Sequence, residues 1–170
     1  MTAYVALLRA VNVGGTGKLA ITDLAAMCED VGFRQVKTYI ASGNVIFTSA
    51  KSENAVKAAL EKALATYAGK PVGVMVRNAA EMAAIVKANP FPDAPGNRLI
   101  VTFLDDAPPA GALKEVRHHT DEKLHLGKRE IFVRYTEGMR DSKLAIPAAK
   151  SGTGRNMNTV MKLAEMAAAL

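Results

Sequence analysis

The chain has 170 residues, 49% of them hydrophobic and 22% charged, with a formal charge of +6. That size is one domain or two small halves, with enough apolar content for a buried core. No apolar run approaches the ~20 residues of a membrane-spanning helix, and a single cysteine, Cys28, excludes a disulfide framework; together they point to a cytoplasmic protein.

YVALLRAV (4–11) is short, apolar and followed by glycines, so it reads as a buried strand. With no basic stretch ahead of it and Arg9 within it, it is not a signal peptide. Thr22 is placed to cap a helix from Asp23, in which Leu24, Met27, Cys28 and Val31 recur at helical spacing and which Gly32 ends. QVKTYI (35–40) and NVIFTS (44–49) read as two strands joined through the turn residues ASGN. Ser52 opens a second helix, whose stripe Val56, Ala59, Leu60, Ala63, Leu64 and Tyr67 runs on to Gly69. PVGVMVR (71–77) is a strand, and Asn78 with Glu81 three residues on makes a capping-box start for a helix to Ala88. NPFPDAPGN (89–97) is dense in proline and glycine and marks a boundary. After it the order restarts: a strand RLIVTFL (98–104), a helix PPAGALKEVRH (108–118) led by prolines, and a hairpin of EKLHL and REIFVRY around Gly127-Lys128. Mostly irregular chain follows over 136–155, then a final helix over 158–170.

Both halves read β-α-β-β-α, so the fold class is α+β with two ferredoxin-like halves, 1–88 and 97–170, joined by the connector 89–96. The duplication shows in element order and not in residue identity. In such a split unit the first two strands are parallel with a right-handed crossover, so their carboxyl ends share one sheet edge. This predicts that the loop Asn12–Lys18 neighbours the turn Ser42-Gly43-Asn44, and that Asp105-Asp106 neighbours Gly127-Lys128.

RAVNVGGTGKLA (9–20) borrows letters from two nucleotide motifs and satisfies neither. A P-loop needs glycine at 12 and a hydroxyl at 19 for the magnesium ion, where this chain has Asn12 and Leu19. A dinucleotide fold needs an acidic residue ending the second strand, which here ends in YIASGN. What remains is a glycine-rich loop able to aim N–H groups at an anion, with Lys18 adding charge. Arg9, in an apolar strand, must be paired or bind something if buried. Asn44 opens a strand that asparagine does not favour, beside the first loop. SGTGRNMNT (151–159) leads into the last helix with Asn156 or Asn158 as cap, and Thr153 and Arg155 can supplement an anion site there. Charge is uneven: from Lys123 to Arg155 there are eight Lys/Arg against three Asp/Glu, which fits a polyanionic partner or a solvated basic face. His118, His119 and His125 match no metal spacing, no Ser-His-Asp set can be assembled from them, and Cys28 sits on an apolar helix face. The sequence therefore calls for no metal and no cofactor.

Four segments in order, YVALLRAVNVGG, TYIASGNVIF, EIFVRYTEGMRDSKL and GTGRNMNTVMKL, resemble the bacterial domain-of-unknown-function family 1697 over nearly the whole chain. Met157 stands where the family pattern has tryptophan. The resemblance implies a duplicated ferredoxin-like α+β protein and brings no activity with it. Its motifs coincide with Arg9, Asn12, Gly14, Gly15, Ser42, Gly43, Asn44, Arg155, Asn156 and Asn158. The sequence thus predicts a protein that binds a phosphate-bearing ligand, a nucleotide or nucleic acid, through those residues with Lys18 and Thr153. The alternatives are an enzyme acting on a small anionic substrate at the same cleft, and a protein-partner module.

Overall fold

In the first repeat, β1 (Thr2–Leu8) lies between β3 (Asn44–Ser49) and β4 (Val74–Asn78), antiparallel to both, and β2 (Arg34–Thr38) pairs outside β3. The order β2-β3-β1-β4 makes β1 parallel to β2 across the intervening strand, the split arrangement that the element order implied. The computed structural model describes residues 1–12, 17–136, 139 and 141–170. It divides into two units, Met1–Ala84 with Leu163–Leu170, and Ile85–Lys162.

Strand alternation sends Tyr4, Ala6 and Leu8 to one face of the first sheet, beside Val45, Phe47, Val74 and Val76. α1 (Ile21–Asp30) covers that face with Leu24, Met27 and Cys28, and α2 (Glu53–Ala68) with Val56, Leu60 and Leu64. Each fully buried leucine contributes about 1.5–3 kcal/mol of apolar burial. Ser52 caps α2 by accepting the Ala55 N–H at 3.2 Å, and Gly69, left-handed at φ +71, ends it. Asn78 and Glu81 exchange both bonds of a capping box, at 2.8 and 2.9 Å, and start α3 (Ala79–Lys87).

The two boundaries on either side of the first loop differ from the sequence reading for one reason. β1 stops at Leu8 instead of running to Val11, because Ala10 (φ +56) and Asn12 (φ +53) turn the chain into the left-handed region. α1 starts at Ile21 without a side-chain cap, so Thr22 lies inside its first turn. The direction of the chain into α1 is fixed by Asn12, whose side-chain amide grips both backbone groups of Leu19.

In the second repeat, β5 (Leu99–Phe103), β6 (Lys123–Leu126), β7 (Glu130–Arg134) and β8 (Thr153–Asn156) form a sheet of order β6-β7-β5-β8, again antiparallel throughout. The helix expected over 108–118 is a single 3-10 turn, Ala112–Glu115. Pro108 and Pro109 lack N–H donors, and Arg117 leaves to exchange backbone bonds of 2.9 and 3.0 Å with Ala145. β8 falls inside the stretch read as irregular. Its sequence TGRN has no apolar alternation, and its pairing with β5 alone makes it a strand. A second 3-10 turn, Pro147–Ala149, stands where the first repeat has α2. Leu144, Ile146, Ala148 and Ala149 pack there on Leu104, Ile131 and Val133. α4 (Met157–Ala168) follows β8 as α3 follows β4.

Register makes the duplication visible in residue identity after all. Val5 pairs with Ile46 on one side and Arg77 on the other, and Val101 pairs with Phe132 and Arg155. Arg77-Asn78 and Arg155-Asn156 are therefore the same step in the two repeats. Both arginines are buried, and each donates from Nη1 to the carbonyl of the preceding residue at 2.9 Å. Both asparagines accept the N–H three residues on, from Glu81 at 2.8 Å and from Thr159 at 2.9 Å, and so begin α3 and α4.

Candidate functional site

At the carboxyl edge of the first sheet the two expected loops do meet. The Leu8 N–H donates to Gly43 O at 2.8 Å, and Asn12 Nδ2 donates to Ala41 O at 2.7 Å and to Leu19 O at 2.9 Å. Asn12 Oδ1 accepts the Leu19 N–H at 2.9 Å, and the Asn12 N–H closes the loop on Gly17 O at 2.9 Å. Asn12 thus clasps three backbone segments. Asn44, fully buried, donates from Nδ2 to Tyr39 O and to Ser42 Oγ, both at 2.9 Å, and holds the neighbouring turn. Gly43 sits at φ +86, where an added Cβ would lie 2.4 Å from Val11 Cγ2 and 2.9 Å from Leu8 Cβ. Gly14 and Gly15 lie outside the described residues.

Backbone strain gathers at this edge. Among the described residues nine have positive φ, and five of them, Ala10, Asn12, Gly17, Ile40 and Gly43, belong to these two loops. Ile40 is β-branched, a residue type for which the left-handed region costs about 1–2 kcal/mol. The packing and clasps that hold such conformations also fix what the loops present.

Arg9 is exposed and lies one residue past β1, so the expectation of a buried strand arginine is corrected; its N–H donates to Gly73 O at 2.9 Å. Among the described residues the buried arginines are Arg77 and Arg155. Beside Arg9 a cavity of about 480 Å³ opens, with Lys18 and Lys70 also on its wall. Val11, Leu19, Leu64 and Val72 give it an apolar lining, Tyr67 stands at its side, and no described residue lining it carries a carboxylate. Lys70 and Tyr67 were not foreseen. They arrive through the α2–β4 connection, which the parallel β3–β4 crossover returns to the same edge as the β1 loop.

In the second unit, Arg155 donates to Thr153 Oγ1 at 2.6 Å and to Gly154 O, and burial lowers its pKa to about 10. Asn156 is the cap of α4, while the side chain of exposed Asn158 lies against Gly96. Of the expected neighbours Asp105-Asp106 and Gly127-Lys128, the bonds run to the residue after that turn: Leu104 N–H donates to Arg129 O at 2.9 Å and Arg129 Nη1 to Asp105 O at 3.2 Å.

A further polar cluster escaped the sequence reading. Glu122 is buried and accepts from Ser142 Oγ at 2.5 Å and from the Thr120 N–H at 3.0 Å. The Ser142 hydroxyl, then the Thr120 N–H, hold its carboxyl down at a pKa of about 2. The partners are twenty residues apart, which hides the pair from any local motif, although Ser142 lies inside EIFVRYTEGMRDSKL. Burial, with Glu29 adding to it, pushes the Cys28 thiol up to about 12, so it is a core residue at neutral pH. Among the described residues no three His, Cys, Asp or Glu side chains gather as a metal site, and no helix is long and apolar enough to cross a membrane.

Two four-stranded antiparallel sheets of identical strand order, each unit with its own helices or turns, define a duplicated ferredoxin-like α+β protein. The chain belongs to the family described as "Protein of unknown function (DUF1697)", which matches residues 1–132. Its fold is shared with a solved structure, the conserved bacterial protein SP0830 from Streptococcus pneumoniae. The TM-score is 0.81 at 24% identity, over 98% of each chain. No curated protein matches the sequence.

Proposed function

We propose that the protein binds a phosphate-bearing ligand in the first unit, in the cavity at the edge of β1. The observation that carries this reading is the wall of that cavity: three cations, Arg9, Lys18 and Lys70, and no carboxylate among the described residues lining it. Its volume of about 480 Å³ lies in the range of small-molecule sites. The strained loops beside it are held by Asn12, Ser42, Gly43 and Asn44, so those residues shape the site and the three cations hold the ligand. Thr153, Arg155, Asn156 and Asn158 belong to the second unit, where Arg155 donates to Thr153 within β8 and Asn156 caps α4. A buried, unreactive single cysteine fits a reducing compartment such as the cytoplasm.

Calorimetric titration at low salt with pyrophosphate, a nucleoside triphosphate and a short single-stranded RNA tests the proposal. Arg9→Ala and Lys70→Ala are each expected to weaken binding of the best probe about tenfold, the loss of one charge-assisted contact. Absence of binding by all three, or binding indifferent to both substitutions, would overturn it.

A further inference from the structure

Tyr67 lines two cavities at once. One is the cationic cavity beside Arg9; the other is an open groove of about 720 Å³ between α1 and α2, also within the first unit. Ala26 and Met27 of α1, Val31 just after it, and Ala59 and Ala63 of α2 give this groove an apolar floor. Its charged rim is balanced, with Asp23 and Asp30 against Lys51 and Lys62. Tyr67, shared by both linings, donates from Oη to Asp23 Oδ2 at 2.9 Å, a tie from α2 to α1. A site with three cations at one end and a neutral apolar trough at the other is complementary to an amphiphile with a charged head. A nucleobase would find flexible charged side chains along the trough and the Thr66 hydroxyl, whose proton is already given to Lys62 O, whereas a hydrocarbon chain needs nothing but the apolar floor.

We infer that the ligand is a phosphate monoester or diphosphate carrying a hydrocarbon chain. The phosphate sits among Arg9, Lys18 and Lys70, and the chain passes Tyr67 into the groove between α1 and α2. This inference rests on the phosphate-binding reading above and adds the chemistry of the rest of the ligand. Full burial of a methylene strengthens binding about fourfold, so a half-open groove is expected to give about twofold per carbon.

The test is calorimetry with ethyl, hexyl and decyl phosphate as free monomers, alongside AMP and vesicles containing phosphatidic acid. Affinity should climb about twofold per methylene in the wild type. The climb should flatten in Ala26→Trp, a substitution at an exposed position of the groove, with affinity read relative to ethyl phosphate in the same variant. Equal affinity for the three alkyl phosphates would overturn the chain while leaving the phosphate reading standing; no binding of any phosphate would overturn both. AMP binding more tightly than decyl phosphate would assign the groove to a nucleoside, and binding to vesicles alone would assign it to a membrane surface. Either result refutes the proposal.

Discussion

The two repeats handle the same edge of the same sheet in opposite ways. In the first, Leu8 N–H bonds to Gly43 O at 2.8 Å, and in the second Leu104 N–H bonds to Arg129 O at 2.9 Å, so the frames match bond for bond. Beyond that bond they part. The first continues as Arg9, left-handed Ala10 and the Asn12 clasp, and opens on a cavity with three cations. The second continues as Asp105, whose carbonyl is held by Arg129, and leaves through Pro108 and Pro109 into a 3-10 turn. Arg9 of one repeat corresponds to Asp105 of the other. A repeated scaffold therefore carries two different edges, and the difference lies in the loops, where function is placed on a fold.

The sharpest way to break this comparison is at Gly43, since Arg129 stands at the same register position. Gly43→Ala combines an unfavourable φ with overlap on Val11 and Leu8, and should cost about 2–4 kcal/mol in denaturant unfolding. Arg129→Ala should cost less than about 1 kcal/mol, as one guanidinium bond to a carbonyl is lost. Asn12→Ala comes next. It strips partners from the Leu19 N–H, Leu19 O and Ala41 O, and should cost about 2–3 kcal/mol and weaken phosphate binding with it. Asn12→Asp, which keeps only the acceptor, should recover part of the stability and none of the binding.

The smallest effect belongs to the second unit. Glu122 has its folded pKa lowered from 4.5 to about 2, so its contribution is complete above pH 4.5 and is lost as pH falls toward 2. Ser142→Ala removes the largest cause of that lowering. An NMR titration of the Glu122 carboxyl should show its pKa move up, and stability should decline less steeply over that acidic window. An unchanged titration would mean that the bonds from Thr120 and from the Glu122 backbone sustain the shift without Ser142.

Much of the scaffold was legible. β3 spans the NVIFTS segment read as a strand, the stripes of α1 and α2 face the core except at exposed Tyr67, and Ser52, Gly69 and the Asn78–Glu81 box work as their residue types imply. β8 and the 3-10 turns were not, because pairing with β5 and the Arg117–Ala145 bridge override local preference. At the site, the meeting of the 12–18 and 42–44 loops followed from topology alone. The roles of their side chains did not. Asn12 and Asn44 have the composition of ligand-reading residues and spend their amides on their own loops, Asn12 on backbone and Asn44 on Tyr39 O and Ser42 Oγ, whereas Lys70 and Tyr67 carry no motif and reach the cavity through the crossover. Arg77 was equally hidden: only the register that superposes it on Arg155 marks it as a repeated buried arginine.

The most direct test of the central claim is a two-dimensional amide NMR titration with hexyl phosphate, reading both edges in one experiment. Saturable shifts are expected at Arg9, Lys18, Tyr67 and Gly73 of the first unit, with Leu104, Asp105, Arg129 and Gly152 of the second unmoved. Equal shifts at both edges, or shifts confined to the second, would contradict it.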